Sequence, residues 1–215
     1  MKKNVFITAL LAICLSTGIV WADDDNRVNY ITQAVDNLTS FDNIISNAPF
    51  DIEFTQRDEQ TVSIYGEPQQ IENVNLTLVG KTLVVGSKSD GNMSHVKVII
   101  TAPELLCVVL SGSGDVDVKH LDADNFTATI SGSGDIELTG TCYKAEYNVN
   151  GSGDIDADEF RVDYLDATVN GSGSIECRCT DTLNANVIGS GDIEIKGPTR
   201  QVNRAGRKSA IRHDH

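Results

Sequence analysis

The segment Ala128-Thr129-Ile130-Ser131-Gly132-Ser133-Gly134-Asp135-Ile136-Glu137-Leu138 decides the fold, because the chain carries its pattern five times. Gly-Ser-Gly begins at Gly112, Gly132, Gly151, Gly171 and Gly189, at spacings of 20, 19, 20 and 18 residues. A period of this length marks a repeat architecture. Two residues before each first glycine stand Leu110, Ile130, Val149, Val169 and Val187; four before, Val108, Ala128, Tyr147, Ala167 and Ala185; six before, Leu106, Phe126, Ala145, Leu165 and Leu183. After the turn, Val116, Ile136, Ile155, Ile175 and Ile193 form one apolar column and Val118, Leu138, Ala157, Cys177 and Ile195 the next. Alternation of period two means strands with one buried face. Each repeat therefore reads as strand, glycine turn, strand, corner.

Short, evenly spaced strands suit an antiparallel sandwich or a solenoid. Columns of like residues decide for the solenoid, because equivalent positions of successive coils then stack in parallel about 4.8 Å apart. The expected fold is all-β: a right-handed, single-stranded parallel β-helix with coils of about 18–20 residues, its hand set by the crossover rule. Upstream, residues 51–54, 61–65, 74–79, 82–85 and 96–101 also alternate, with looser spacing and no glycine turn. They are expected to form irregular first coils and a cap, since terminal repeats are atypical. Residues 28–38 are ambiguous between helix and strand. The glycines read as turn residues that adopt positive φ and let coils stack closely.

Working outward, the first residues carry Lys2, Lys3, an apolar run over 5–20 and Val20-Trp21-Ala22. That is the pattern of a secretory signal cleaved after Ala22. The expected organisation is a signal peptide over 1–22, a lead-in over 23–40, the β-helix over 41–198 and a basic flexible tail over 199–215. Trp21 is the only tryptophan, so a processed protein is expected to lack tryptophan fluorescence. No later apolar run is long enough to span a membrane. Loss of the two lysines leaves 15 basic against 31 acidic residues, a net charge of −16. Such acidity argues against nucleic acid and anionic membranes as partners.

The outward columns carry that charge. Directly after the turn stand Asp115, Asp135, Asp154, Ser174 and Asp192; two residues on stand Asp117, Glu137, Asp156, Glu176 and Glu194. The next outward column, Lys119, Thr139, Asp158, Arg178 and Lys196, returns part of the balance. Two like charges at the coil spacing repel by about 1 kcal/mol in water-like surroundings and roughly 3–4 kcal/mol at an effective dielectric of 20. The stripe needs compensation. One reading is a calcium ladder on Asp115, Asp117, Asp135, Glu137, Asp154, Asp156, Asp192 and Glu194, since hard oxygen ligands suit that ion. The other is that each aspartate closes its own turn by accepting backbone N–H bonds, leaving a solvated acidic stripe. No other cofactor is expected.

Other chemistry finds little footing. Gly-Ser-Gly-Asp has neither a phosphate-loop lysine nor the spacing of a nucleophile elbow. His95, His120, His213 and His215 stand outside any zinc-like spacing, although His213 and His215 offer a weak metal pair. Cys177 falls in a core column, Cys142 and Cys179 near corners two coils apart, and Cys107 in an outward column. Core or corner packing suits the first three better than disulfides.

Four copies of Gly-Ser-Gly-Asp-[Ile/Val], the lead-in Thr101-Ala102-Pro103-Glu104-Leu105, the earlier Gly80-Lys81-Thr82-Leu83-Val84-Val85 and the closing Ile195-Lys196-Gly197-Pro198 resemble the bacterial putative auto-transporter adhesin family with the head GIN domain. The resemblance covers roughly 41–198 and implies a right-handed β-helical, exported domain. Ser174, in place of aspartate, and the basic tail depart from its pattern. The expected function is a non-enzymatic envelope or secreted protein, in the periplasm, at the outer surface or beyond it. It would offer an acidic polar ladder to a protein or glycan, with Thr127, Thr129, Thr168, Asn148, Asn184 and Asn186 supplying further hydrogen bonds. The rivals are a calcium-dependent structural module and a polysaccharide-active enzyme. The enzyme would need loops walling a cleft, and the five coils differ by only two residues in length.

Overall fold

The computed structural model describes residues 30–36, 38–89, 93 and 95–214. The expected signal, Trp21 and His215 lie outside them. Strands run in chain order: β1 (Ile31–Ala34), β2 (Asn43–Ser46), β3 (Asp51–Gln56), β4 (Thr61–Gly66), β5 (Val74–Val79), β6 (Thr82–Ser87), β7 (Lys97–Ala102), β8 (Cys107–Leu110), β9 (Val116–Ile130), β10 (Ile136–Val149), β11 (Ile155–Val169), β12 (Ile175–Val187), β13 (Ile193–Lys196), β14 (Gln201–Gly206) and β15 (Ile211–Asp214). A single helical turn, α1 (Pro68–Ile71), separates β4 from β5. The ambiguous lead-in contains a strand, β1, paired antiparallel to β4.

Strands β9 to β12 stack in parallel and in the register that the columns demand. Ile136 pairs with Val116 on one side and Ile155 on the other, and the row continues to Ile175 and Ile193. Before the turn, Ile130, Val149, Val169 and Val187 form the matching row. All nine side chains are buried. The two strands expected per coil are one long strand that bends at its corner, and the unequal coil lengths are absorbed there by register shifts, at Leu138/Gly140 and Ala157/Arg161. One inward expectation fails. Leu106 is exposed and Leu105 is buried in its stead, because the chain has only just passed Pro103.

Of the two reasons expected for glycine in the Gly-Ser-Gly turns, close stacking of coils holds and positive φ does not. Among the described residues, the glycines with positive φ are Gly66, Gly80, Gly140, Gly197 and Gly206, none of them in a Gly-Ser-Gly turn. What excludes a side chain is the coil below: a Cβ on Gly151 would collide with the carbonyl oxygen of Gly132. That oxygen accepts the N–H of Ser152 at 3.1 Å, and the Gly151 oxygen accepts that of Ser172 at 3.0 Å. The hydrogen-bond ladder thus continues through the turns.

One core position breaks the pattern of its column. Tyr147 lies between Ala128 and Ala167, whose small side chains make room for the ring. Its hydroxyl is buried without a hydrogen-bond partner, and burial holds the phenol well above its usual pKa. An orphaned buried hydroxyl costs about 1 kcal/mol or more. Tyr147→Phe should therefore raise stability by about 1 kcal/mol, some 2–4 °C in Tm, in thermal unfolding. A lower Tm for the phenylalanine variant would mean that the hydroxyl is satisfied.

At the amino-terminal end, spatial order departs from chain order. β2 lies in parallel between β6 and β8, and β3 between β7 and β9. The coil built from β2 and β3 is thus enclosed by later coils on both sides. Antiparallel pairings of β4 with β7 and of β5 with β6 finish that end. β3 to β7 are the strands expected upstream, and together with β2, which was not among them, they form the irregular coils and cap.

At the other end, the expectation of a basic flexible tail over 199–215 is corrected. β14 pairs in parallel with the second half of β12, and β15 pairs with β13, adding a further coil with Ala210 and Ile211 buried. The apolar pattern stops because this coil ends the core: Arg204 stands in the row of Ala185. Three of its five cations are employed as well. Arg200 pairs with Asp181 at 3.0 Å, Arg212 with Asp192 at 3.3 Å, and Arg207 donates to the carbonyl oxygens of Ser190 and Gly191 at 2.7 and 2.5 Å. Charge on an edge strand also opposes sheet extension.

Candidate binding face

The two carboxylate columns project from the segment after each turn, where alternation sends Ile136 and Leu138 inward and Asp135 and Glu137 outward. Pairing in register makes them two straight rows. Six of the eight expected site residues, Asp115, Asp117, Asp135, Glu137, Asp154 and Asp156, line one shallow hollow of about 360 Å³. Asp192 and Glu194 stand apart at the carboxy-terminal end, against Arg207, Arg212 and Lys196.

The two rows do different work. In the first, each aspartate holds the coil that follows it rather than its own turn. Asp51 Oδ1 accepts the Asp115 N–H at 3.1 Å, Asp115 Oδ1 that of Asp135 at 2.9 Å, and Asp135 Oδ1 that of Asp154 at 2.7 Å. Asp154 Oδ1 accepts both the N–H and the Oγ–H of Ser174, at 2.6 and 2.9 Å. The serine that departs from the repeat is therefore a hydrogen-bonded member of the row. Asp135→Ala should lower stability by about 1 kcal/mol, whereas Asp135→Asn, which keeps an acceptor oxygen and removes a like charge, should not. Equal melting points for wild type and the alanine variant would contradict the inter-coil bond.

The second row is where charge accumulates. Lys119 lies 3.2 Å from Glu53 and 3.7 Å from Asp117 at one end; Lys196 lies 2.6 Å from Glu194 and 3.6 Å from Glu176 at the other. Such partly exposed pairs contribute little each. Between them, no ion pair reaches Glu137 or Asp156 among the described residues. Burial, with Asp117 and Asp156 beside it, pushes the Glu137 carboxyl above its usual pKa. Ionisation of Glu137 thus opposes folding, and acidification through that raised pKa relieves it. The carboxylates of Asp156, Asp158 and Glu176 lie within 4.8 Å of one another, the tightest acidic group among the described residues.

Sequence reading missed Asp51 and Glu53, which extend both rows by one coil. The signal was present, since Asp51-Ile52-Glu53 repeats Asp135-Ile136-Glu137. It was hidden because Ala48-Pro49-Phe50 replaces the glycine turn. The cysteines behave as packing residues. Burial pushes the thiol of Cys177 up to about 12 and those of Cys142 and Cys179 up to about 11, and among the described residues Cys107, Cys142, Cys177 and Cys179 are free of disulfides. His213 Nε2 lies 2.6 Å from the Gly197 carbonyl oxygen.

The family model described as "Putative auto-transporter adhesin, head GIN domain" matches residues 40–198. No curated protein matches this sequence. Among solved structures, a putative adhesin from Bacteroides fragilis is 23% identical with a TM-score of 0.71, over 87% of this chain and 97% of that one. A putative adhesin from Parabacteroides distasonis is 22% identical with a TM-score of 0.55, over 86% and 97%. A protein named putative lipid binding protein, also from Parabacteroides distasonis, is 22% identical with a TM-score of 0.56, over 87% and 97%. At these identities the likeness is one of fold. No helix among the described residues is long and apolar enough to cross a membrane.

Proposed function

This chain belongs to the putative auto-transporter adhesin, head GIN domain family, and from that premise we propose that it is a non-enzymatic exported surface protein that presents its acidic ladder to a partner, a protein or a glycan. The observation that carries the reading is the second carboxylate row: Glu53, Asp117, Glu137, Asp156, Glu176 and Glu194 are aligned by backbone pairing on successive coils. Backbone pairing makes such a row rigid, so charge is held at fixed intervals before any partner arrives. Solenoids provide extended surfaces of this kind. The test is retention of the full chain on envelope vesicles and on glycan-coated surfaces, compared with a variant carrying Asp117→Asn, Glu137→Gln, Asp156→Asn and Glu176→Gln. Loss of retention in the variant is expected. Equal retention of both proteins would overturn the reading.

A second reading, a calcium-binding structural module, is favoured by the proximity of Asp156, Asp158 and Glu176. Three carboxylates at that spacing supply hard oxygen donors to one ion. Calcium at 100 times its dissociation constant would add about 2.7 kcal/mol to stability. The expected result is a Tm higher in millimolar calcium than in chelator, and an unchanged Tm would end this reading.

A further inference from the structure

At the corner that follows the acidic face, β10 and β11 place two tyrosines on the surface. Tyr143 is 56% exposed and Tyr164 37% exposed, with ring centroids 5.2 Å apart and planes inclined at 69°. Edge-to-face contact holds each ring against the other, so the pair is a fixed aromatic shelf. The row beside the shelf is polar. Lys144, Tyr164 and Thr182 stand in one row of successive coils, and Asp166 and Asn184 in a neighbouring outward row. With Tyr143 they line a shallow hollow of about 260 Å³.

The planar polar groups are oriented in advance. Asn184 Nδ2 donates to Asp166 Oδ1 at 2.7 Å, and Asn203 Nδ2 donates to Asn184 Oδ1 at 2.7 Å, a chain that crosses three coils. Among the described residues, this leaves one Asp166 carboxylate oxygen and one Asn184 amide hydrogen directed to no protein partner. An acceptor and a donor side by side match vicinal hydroxyls, and an aromatic face beside them matches the C–H face of a sugar ring.

We propose that Tyr143 and Tyr164, with Asp166, Thr182 and Asn184, form a binding site for a neutral glycan, one pyranose stacking on the aromatic shelf while its hydroxyls meet the carboxylate and amide. Charge selects the class. The chain carries a net charge of −14, and near the shelf the three carboxylates of Asp163, Asp166 and Asp181 stand against Lys144 in the hollow and Arg200 on Asp181. Sulfated and sialylated glycans are repelled. Asp181 foremost, then Tyr143, burial and Asp163, raise the Tyr164 pKa, and its phenol, protonated at neutral pH in any case, can donate to a sugar oxygen. A hollow this small and open gives no cover to an acyl chain. The site is separate from the acidic ladder and does not depend on it.

The test applies the full processed chain to a printed array of neutral, sialylated and sulfated oligosaccharides, followed by calorimetry with the neutral compounds retained. At least one neutral oligosaccharide is expected to bind, and the double variant Tyr143→Ala, Tyr164→Ala to bind it at least tenfold more weakly with an unchanged melting point. Tyr164→Phe, which keeps the ring, should lose no more than about threefold. Retention of anionic glycans alone, of no glycan, or of neutral glycans equally by the double variant overturns the site. Neutral binding that survives the double variant but is lost with Glu137→Gln and Asp156→Asn would place the ligand on the acidic face; the shelf would then fall and the ladder reading stand.

Discussion

Gly151→Ala should lower stability by about 3 kcal/mol, a fall of some 6–12 °C in Tm, without any change of φ being asked of the backbone. The new methyl group would occupy the space of the Gly132 carbonyl oxygen. That oxygen already accepts the Ser152 N–H. Relief requires the coils to separate at the turn, and separation breaks the hydrogen bond and loosens the apolar row behind it. The control is Gly86→Ala, where the added Cβ meets nothing within 4 Å and no positive φ is recorded. There the change should be neutral or stabilising by up to about 1 kcal/mol, through the unfolded chain. Equal effects at the two positions would contradict the stacking argument.

Phe160→Ala should cost about 3–5 kcal/mol. Its side chain is fully buried at the corner of β11, 5.9 Å in centroid distance from the Phe126 ring. Backbone on neighbouring coils is tied by pairing of Gly140 to Phe160, so the wall cannot collapse inward to fill the space. The measurement is denaturant unfolding, and Phe160→Leu should recover more than half of the loss. A cost below about 1 kcal/mol for the alanine variant would mean that the corner is loosely packed.

How much of this was legible in the sequence depended on whether the repeat was intact. Five Gly-Ser-Gly turns and their flanking columns prescribed the register of β9 to β13, because only stacking in parallel buries Ile136, Ile155 and Ile175 together. The chemistry of the acidic face was legible too, as outward columns, but not which amides the aspartates hold. A column says that Asp115 and Asp135 are neighbours; only coordinates distinguish a bond within a turn from one between coils. The coil of β2 and β3 was obscured by Ala48-Pro49-Phe50, and its place between later coils has no local signature. The last coil was read as a tail because Arg204 stands where an apolar residue would have continued the pattern. The aromatic shelf lies at a bulged corner, where register shifts break the very periodicity that exposed the rest.

The enclosure of β2 and β3 has a mechanical consequence. An ordinary terminal coil is an edge, and tension on the adjoining chain peels it away one hydrogen bond at a time. Here β1 is such an edge, paired with β4 alone, but the coil of β2 and β3 behind it is clasped on both flanks, by partners 39 and 64 residues further along, Asn43 facing Thr82 and Cys107. Once β1 has been peeled from β4, force on the chain ahead of Phe41 loads two ladders together in shear, and that anchor point yields only when the stack itself is pried open.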